Sequence, residues 1–356
     1  MGISHIPLPI KYFDVESCAV FGNFGIILFM MFVGSEFNFR RILAVDKTNI
    51  ILPFIIILIP FLLGAVTYLL LLKLGLIDSF GISHKFLIAI FIGIAVSMSA
   101  FSMLVMFINN TKLKFSRIGK VAIFCATFED AVFWILFAIV LACFQENGYM
   151  HATPIIYLGL YILFIIYIMP FIINKIINKI HTSLSMLGLI FGGCLLSANL
   201  ADLVNLHPMF GGFIFGLSLP RNNAIIKQLR EHLLEFVIII LLPVYFVKTG
   251  IEASTSLSFD QSTMMVCIIF ILISFLGKYG SAFIVGKTWH FSNKEIVLLG
   301  SLLSIRGTIE IALLNVGMEI GLLESKTYSA LVIMSLITTW FATSLTLYLD
   351  KKCVNT

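Results

Sequence analysis

Five charged residues sit inside otherwise apolar runs of this chain: Glu129 and Asp130 in ATFEDAVFW, Lys278 in FLGKYGS, and Arg306 and Glu310 in LLSIRGTIEIALLN. A charge near the centre of a bilayer costs about 2.5–3.5 kcal/mol on insertion scales, so such residues are kept for protein interiors and aqueous pathways. A carboxylate in that setting has a specific capability. Loss of water favours its protonated form and a bound cation favours its ionised form, so one group can hold a proton or a cation in turn. Asp130 is the leading candidate for that exchange. Glu129 is a second ligand or a solvated neighbour, because adjacent helix positions point about 100° apart.

Arg306 and Glu310 are four residues apart, which puts them on one helix face and predicts a structural ion pair that orients the helix. Lys278 has no opposite charge within helical reach, so its partner must come from another helix. Asp130 and Glu129 lie at similar depth and are the candidates. A pairing with Asp130 is expected, in which cation binding there would release Lys278 and cation loss would let the pair re-form.

Polar interruptions accompany these charges. GIAVSMSAFSM places Ser97, Ser99 and Ser102 mid-span, and GSLLSIRGT places Ser301, Ser304, Gly307 and Thr308 mid-span. Both stretches are predicted to be discontinuous helices, whose freed backbone groups can coordinate an ion at the membrane midplane. Their centres are about 207 residues apart, and the same offset carries Asp130 into the last apolar segment, as an inverted repeat requires.

These residues need a membrane around them, and the composition supplies one. Of 356 residues, 60% are hydrophobic and 12% charged, against soluble norms of about 45–50% and 25%. Apolar stretches of the roughly 20 residues that cross a bilayer follow one another without room for a separate soluble domain. Eleven segments are predicted, near 18–37, 49–72, 86–109, 117–144, 154–177, 184–202, 209–220, 232–250, 262–286, 295–318 and 327–349. The expected fold is an all-α polytopic membrane protein of about eleven transmembrane helices. It comprises a tail 1–17, a transmembrane domain 18–349 and a short tail 350–356.

The net charge of +5 does not mark a nucleic-acid-binding surface, because the basic residues sit singly in short loops. Sixteen of the 23 follow odd-numbered segments, including Arg40, Arg41, Lys112, Lys114, Arg221, Lys351 and Lys352. The positive-inside rule then predicts a cytoplasmic carboxyl terminus and an amino terminus on the other side. GxxxG spacings at Gly188/Gly192 and Gly212/Gly216 are read as tight helix packing, with a dimer face as the alternative. There is no Walker A loop, GxGxxG, HExxH or Cys/His cluster, so no cofactor and no resident metal are indicated. The cysteines lie mainly in apolar segments and read as small buried hydrophobes.

The motifs resemble those of the second family of monovalent cation:proton antiporters, particularly the plant cation/H+ exchangers. FGNFGIILFMMFVGSEFNFRRI is similar to the family's LANLGLLFFLFLVGLELD, and VSMSAFSMLV to SLTAFPVLA, with Ser102 in place of Pro. FEDAVFWILFA is similar to NDVAAWILLA, which puts Asp130 on the ion-binding aspartate and Glu129 in place of Asn. PMFGGFIFGLSLP, LLPVYFVKTGIEAS and GKYGSAF also have counterparts, the last placing Lys278 on a membrane-embedded lysine. RGTIEIALLNVG is similar to KGLVELIVLNIG, with Arg306 for Lys and with Glu310 and Asn315 matching. The resemblance implies a Na+/H+ antiporter-like fold with a dimerisation domain and a mobile core. It also implies K+ or Na+ exchanged for H+ at the aspartate, a homodimer in an endomembrane, and a carrier rather than an enzyme. Against the family, the chain begins where the third helix begins and stops after the last one. Two other readings stand beside this: a truncated non-transporting paralogue that partners full-length relatives, and a channel-like K+ efflux protein.

The charge alternation is testable directly. A tag after Thr356 is expected to be reachable only from the cytoplasm, and a tag before Gly2 only from the opposite side. Both tags on one side would overturn the count, because an odd number of spans must separate the ends.

Overall fold

A computed structural model of the chain describes residues 15–36, 47–77, 84–145, 156, 159–161, 163–177, 183–203, 207–220, 233–247 and 261–352. Most of the amino-terminal tail, residues 353–356, and several orienting residues (Lys11, Arg40, Arg41, Lys179, Arg221, Lys227, Arg230 and Lys248) lie outside these. Among the described residues every regular element is helical. Besides a short 3-10 turn at Lys112–Phe115 and a π-helical turn at Phe164–Ile168, they are in chain order α1 (Val15–Glu36), α2 (Lys47–Lys73), α3 (Lys85–Ser97), α4 (Phe101–Asn109), α5 (Arg117–Gln145), α6 (Met169–Ile177), α7 (Ser183–Leu203), α8 (Pro208–Ser218), α9 (Leu233–Val247), α10 (Gln261–Thr288), α11 (Asn293–Leu303), α12 (Thr308–Glu319) and α13 (Ser325–Lys352). Stretches within α2, α5, α7, α10 and α13 are long and apolar enough to cross a membrane. Within the described residues, each predicted segment holds a helix, and the ends of the long ones fall within a few residues of those expected.

Two predicted segments are each divided. The third becomes α3 and α4, parted at Met98–Ala100, and the tenth becomes α11 and α12, parted at Ser304–Gly307. Met98 (φ −62°, ψ 138°) and Ala100 (φ −80°, ψ 100°) are extended, so the chain leaves the helix and re-enters it three residues later. In the second break Ser304 keeps near-helical angles and Gly307 is fully extended (φ −145°, ψ −176°). These are the two interruptions that the serine-rich stretches predicted. At its other end α11 opens on a capping box: Ser292 Oγ accepts from the Glu295 amide and the Glu295 carboxylate accepts from the Ser292 amide.

The chain folds as two compact units, residues 1–37 with 157–255 and residues 38–156 with 256–356. In the first, α1 lies along α8 at very short range. A Cβ added to Gly212 would overlap the Ile27 carbonyl oxygen, and one added to Gly216 the Met31 carbonyl oxygen. The approach is returned from α1, where a Cβ on Gly34 would overlap the Phe213 carbonyl oxygen. Lipid tails are as apolar as the helices themselves, so close backbone packing of this kind is what holds them together. The Gly212/Gly216 spacing is therefore a packing motif, whereas a Cβ on Gly188 or Gly192 of α7 would meet nothing within 4 Å.

The second unit carries the charged residues. There α2 packs on α3 through Gly64 and Gly93, and on α10 through Pro60 set against Gly277. α5, which carries Glu129 and Asp130, and α10, which carries Lys278, lie beside the divided helices, and all three side chains are buried. Cys125, Cys143, Cys194 and Cys267 are free and buried.

The contrast among glycines makes a prediction. Gly216→Val should destabilise the protein by about 1–3 kcal/mol, the range for forcing extra atoms into a packed interior. Gly188→Val, with open space around it, should unfold close to the parental temperature. Melting in detergent measures both, and equal losses would show that the α1–α8 contact is not specific to Gly216.

Candidate functional site

The two breaks meet. The Ala100 amide donates to the Ile305 carbonyl at 2.9 Å, joining one interruption to the other across 205 residues of sequence. Gly307 is needed for this approach, because a Cβ there would lie 2.7 Å from the Ala100 Cβ. Each break also caps the helix that ends at the other. Ser99 Oγ donates to the Leu303 carbonyl at 2.6 Å, at the carboxyl end of α11. The Arg306 guanidinium donates to the Ala95 carbonyl at 2.5 Å and the Val96 carbonyl at 2.6 Å, at the carboxyl end of α3. A helix leaves its last carbonyls unbonded and partly negative, so a cation and a hydroxyl are suited to these places.

Arg306 has two further partners: Glu310 Oε1 at 2.9 Å and Ser274 Oγ at 2.6 Å. The ion pair expected from their spacing is present, and both side chains are buried. Its arginine is also the cap of α3, which the spacing did not indicate. The Arg306 amide donates to Thr339 Oγ1 at 2.9 Å, tying the break to α13.

Lys278 is wholly buried. Its ammonium donates to Glu129 Oε1 at 2.5 Å and to Ser99 Oγ at 2.8 Å. The partner is thus Glu129, the second of the two candidates, and not Asp130, for which the sequence predicts the pairing. Glu129 is 3% exposed and ion-paired, so the solvated-neighbour reading does not hold. The reason is directional. Consecutive positions on α5 point about 100° apart, and of the two carboxyls it is the first that reaches Lys278 on α10. Release of Lys278 by a cation binding at Asp130 therefore has no direct contact to act through.

Asp130 is 1% exposed, and its Oδ1 has no hydrogen-bond partner. Glu129 Oε2 and Glu310 Oε2 are likewise buried without a partner. At formal charges, three carboxylates (Glu129, Asp130, Glu310) stand against two cations (Lys278, Arg306). Each cation is paired with a different carboxylate, and Asp130 is the carboxylate left over. Buried charges of this kind are tolerated only when neutralised, by a proton or by an ion.

The other polar groups singled out from sequence divide. Ser97 donates to Ile94 and Ser304 to Gly300, each on its own helix. Ser301 shares a hydrogen bond with Tyr279 at 2.8 Å. The side chains of Ser102 and Thr308 lie outside the described residues. Sequence reasoning missed Ser274 and Thr339. Ser274 is four residues before Lys278 and so on its face of α10, a signal that could have found it. Thr339 carries no such signal.

A buried surplus carboxylate beside two interrupted helices that meet, in an apolar chain whose described elements are all helical, matches the broken-helix architecture of secondary transporters. The chain belongs to the sodium/hydrogen exchanger transmembrane family, which it matches over residues 2–351. It is 29% identical over 324 residues to the Na(+)/H(+) antiporter NhaS4 of Synechocystis, covering 88% of this chain and 78% of that one. It is 28% identical to the K(+)/H(+) antiporter 1 of Saccharomyces cerevisiae and 26% identical to the cation/H(+) antiporter 20 of Arabidopsis thaliana, covering 91% and 94% of this chain. The chain spans 38% and 41% of the lengths of those two relatives. The fold is similar to that of the sodium proton antiporter MjNhaP1 of Methanocaldococcus jannaschii, with a TM-score of 0.63 at 15% identity over 96% of this chain and 88% of that one.

The pairing predicts a double-mutant cycle. Lys278→Met should cost about 3–5 kcal/mol, because it strands a buried carboxylate. The cost should shrink strongly when Glu129 is already Gln, and stay near its parental size when Asp130 is Asn. Melting of the singles and doubles in detergent decides. Additive losses with Glu129→Gln would refute the pair.

Proposed function

We propose that this chain exchanges a monovalent cation, K+ or Na+, for a proton across a membrane by alternating access, with Asp130 holding the two in turn. The observation that carries this reading is the single unmatched carboxylate of a buried cluster. Lys278 and Arg306 each neutralise a different acid, so the cluster carries one excess negative charge. One proton or one alkali cation makes it neutral, and the two compete for the same place. A site that is neutral with either guest can reorient through an apolar environment with either, and is costly to move empty.

The remaining groups have supporting roles. Glu129 lies beside Asp130 with one buried oxygen unpartnered, so it can contribute a second ligand while Lys278 holds its other oxygen. Ser99, Arg306 and Glu310 hold the crossing in shape. Relatives named as Na+/H+ and K+/H+ antiporters support the substrate class. The family resemblance supports a homodimer in an endomembrane. The distribution of basic residues supports a cytoplasmic carboxyl terminus.

The test is cation-dependent proton flux in proteoliposomes holding the purified chain, with K+, Na+ and Li+ compared. A saturating flux with protons moving oppositely is expected, whereas a non-saturating cation current without proton movement would indicate a conducting pore. Asp130→Asn keeps size and hydrogen bonding but removes the titratable charge, and should abolish coupled exchange while leaving the protein inserted. Exchange at the parental rate in that variant would refute the assignment.

A further inference from the structure

Two turns far apart in sequence come together at one end of the second unit, where α4 leads into α5 and α10 into α11. Leu113 and Ile118 from the first turn are buried in one apolar cluster with Phe291 and Ile296 from the second. The Arg117 guanidinium lies over the Phe291 ring, 4.8 Å from its centre. Leu349, near the end of α13, packs against the same cluster.

What this cluster leaves outside is basic. Lys112, Lys114, Arg117 and Lys120 are exposed around the first turn, and Lys287 and Lys294 around the second. Within residues 112–120 and 287–296 the one acid is Glu295, which is half-buried and accepts from the Ser292 amide in the capping box of α11. Orientation in a membrane asks for basic residues in individual loops, but it does not ask two loops to share one face.

Phe115 is the second observation. It is 83% exposed, more than any other large apolar side chain among the described residues. The turn that carries it is fastened to α5: Ser116 Oγ donates to the Leu113 carbonyl at 2.8 Å and accepts from the Gly119 amide at 3.0 Å. Leu113 is thereby buried and Phe115 held out among lysines. A ring in that position is unfavourable in water. At the boundary between headgroups and acyl chains it is covered, while the lysines still reach phosphate oxygens. Apolar surface also runs up to the bases on α10, where Phe283 and Ile284 are exposed and Lys287 Nζ lies 5.5 Å from the centre of the Phe283 ring.

We propose that this face binds the anionic headgroups of phospholipids in the surrounding leaflet, with Phe115 at the acyl boundary and Lys112, Lys114 and Lys287 against the phosphates. A soluble anion would use the lysines and leave the phenylalanine in water. The two turns carry the start of α5 and the end of α10. A headgroup held between them braces the helices that bring Glu129 and Lys278 together, and this holds whether or not the chain exchanges ions.

The experiment melts the full chain in a neutral detergent across a series of phosphatidylglycerol or phosphatidylcholine additions. A saturable rise in Tm is expected with phosphatidylglycerol and not with phosphatidylcholine, and choline chloride should weaken it by screening. Lys112→Gln, Lys114→Gln and Lys287→Gln together should raise the half-saturating concentration about tenfold or more, since each base near the surface adds to the attraction. Lys73→Gln, Lys85→Gln and Lys326→Gln, at the opposite ends of α2, α3 and α13, remove the same charge and should leave it near the parental value. Phe115→Ser should also weaken the response. Melting in phosphatidylcholine shows whether each variant is folded, and Lys114→Gln alone carries the test if the triple variant is not. Equal shifts with the two lipids, no shift with either, or equal losses from the two lysine sets would overturn the proposal and leave the bases as orienting charges. A comparable rise in Tm with glycerol phosphate, unchanged by Phe115→Ser, would overturn it in favour of a soluble anion.

Discussion

Everything at the centre of the second unit follows from the need to satisfy backbone groups where two helices are interrupted inside an apolar environment. A continuous membrane helix bonds its own amides and carbonyls, and a broken one exposes them where no water can replace the lost partner. The chain meets this by bringing the two breaks together. Ala100 bonds to Ile305, Ser99 to Leu303, and Arg306 to Ala95 and Val96. Each interruption is stabilised by the other, so neither can be understood alone. Gly307 is what lets them come this close.

That arrangement sets the electrostatics. The Arg306 guanidinium caps α3 with a charged fork whose two ends reach the Ala95 and Val96 carbonyls together. Once Arg306 is placed, Glu310 balances it from one turn along α12. Lys278 reaches the crossing through Ser99, whose hydroxyl accepts from the ammonium and donates to Leu303. One serine thereby links the Lys278–Glu129 pair to the backbone of the break. Asp130, one residue on from Glu129, makes an ion pair with neither cation and is the carboxylate left without a counter-charge of its own. Two adjacent carboxyls on one helix are given different work by direction alone.

The first unit is organised by a different interaction. α1 and α8 touch backbone to backbone through Gly34, Gly212 and Gly216, with no charge involved. The Tyr161 hydroxyl, Ser197 and the Gly211 carbonyl form a buried hydrogen-bonded chain there, with Ser197 Oγ donating to Gly211 at 2.9 Å. The polar groups of this unit stitch helices together, whereas those of the second unit are poised around an unneutralised acid.

Much of this was legible in the order of residues. Hydropathy located the helices because a bilayer demands long apolar runs, and the serine-rich stretches at 97–102 and 301–308 located the breaks because polar residues mid-span have few other uses. The i, i+4 spacing sufficed for Arg306 with Glu310, since both lie on one helix. What lay beyond reach was every relation between helices. The choice between Glu129 and Asp130 as partner of Lys278 depends on how α5 is rotated against α10, and rotation about a helix axis leaves no trace in an apolar run that is buried on several sides. The capping role of Arg306 and the parts played by Ser274 and Thr339 depend in the same way on contacts across many residues of chain. Sequence by itself determined which groups would be buried in charged form, because the cost of placing them there is a property of each residue. Only the tertiary structure decided which charges cancel, because cancellation depends on distances that packing alone sets.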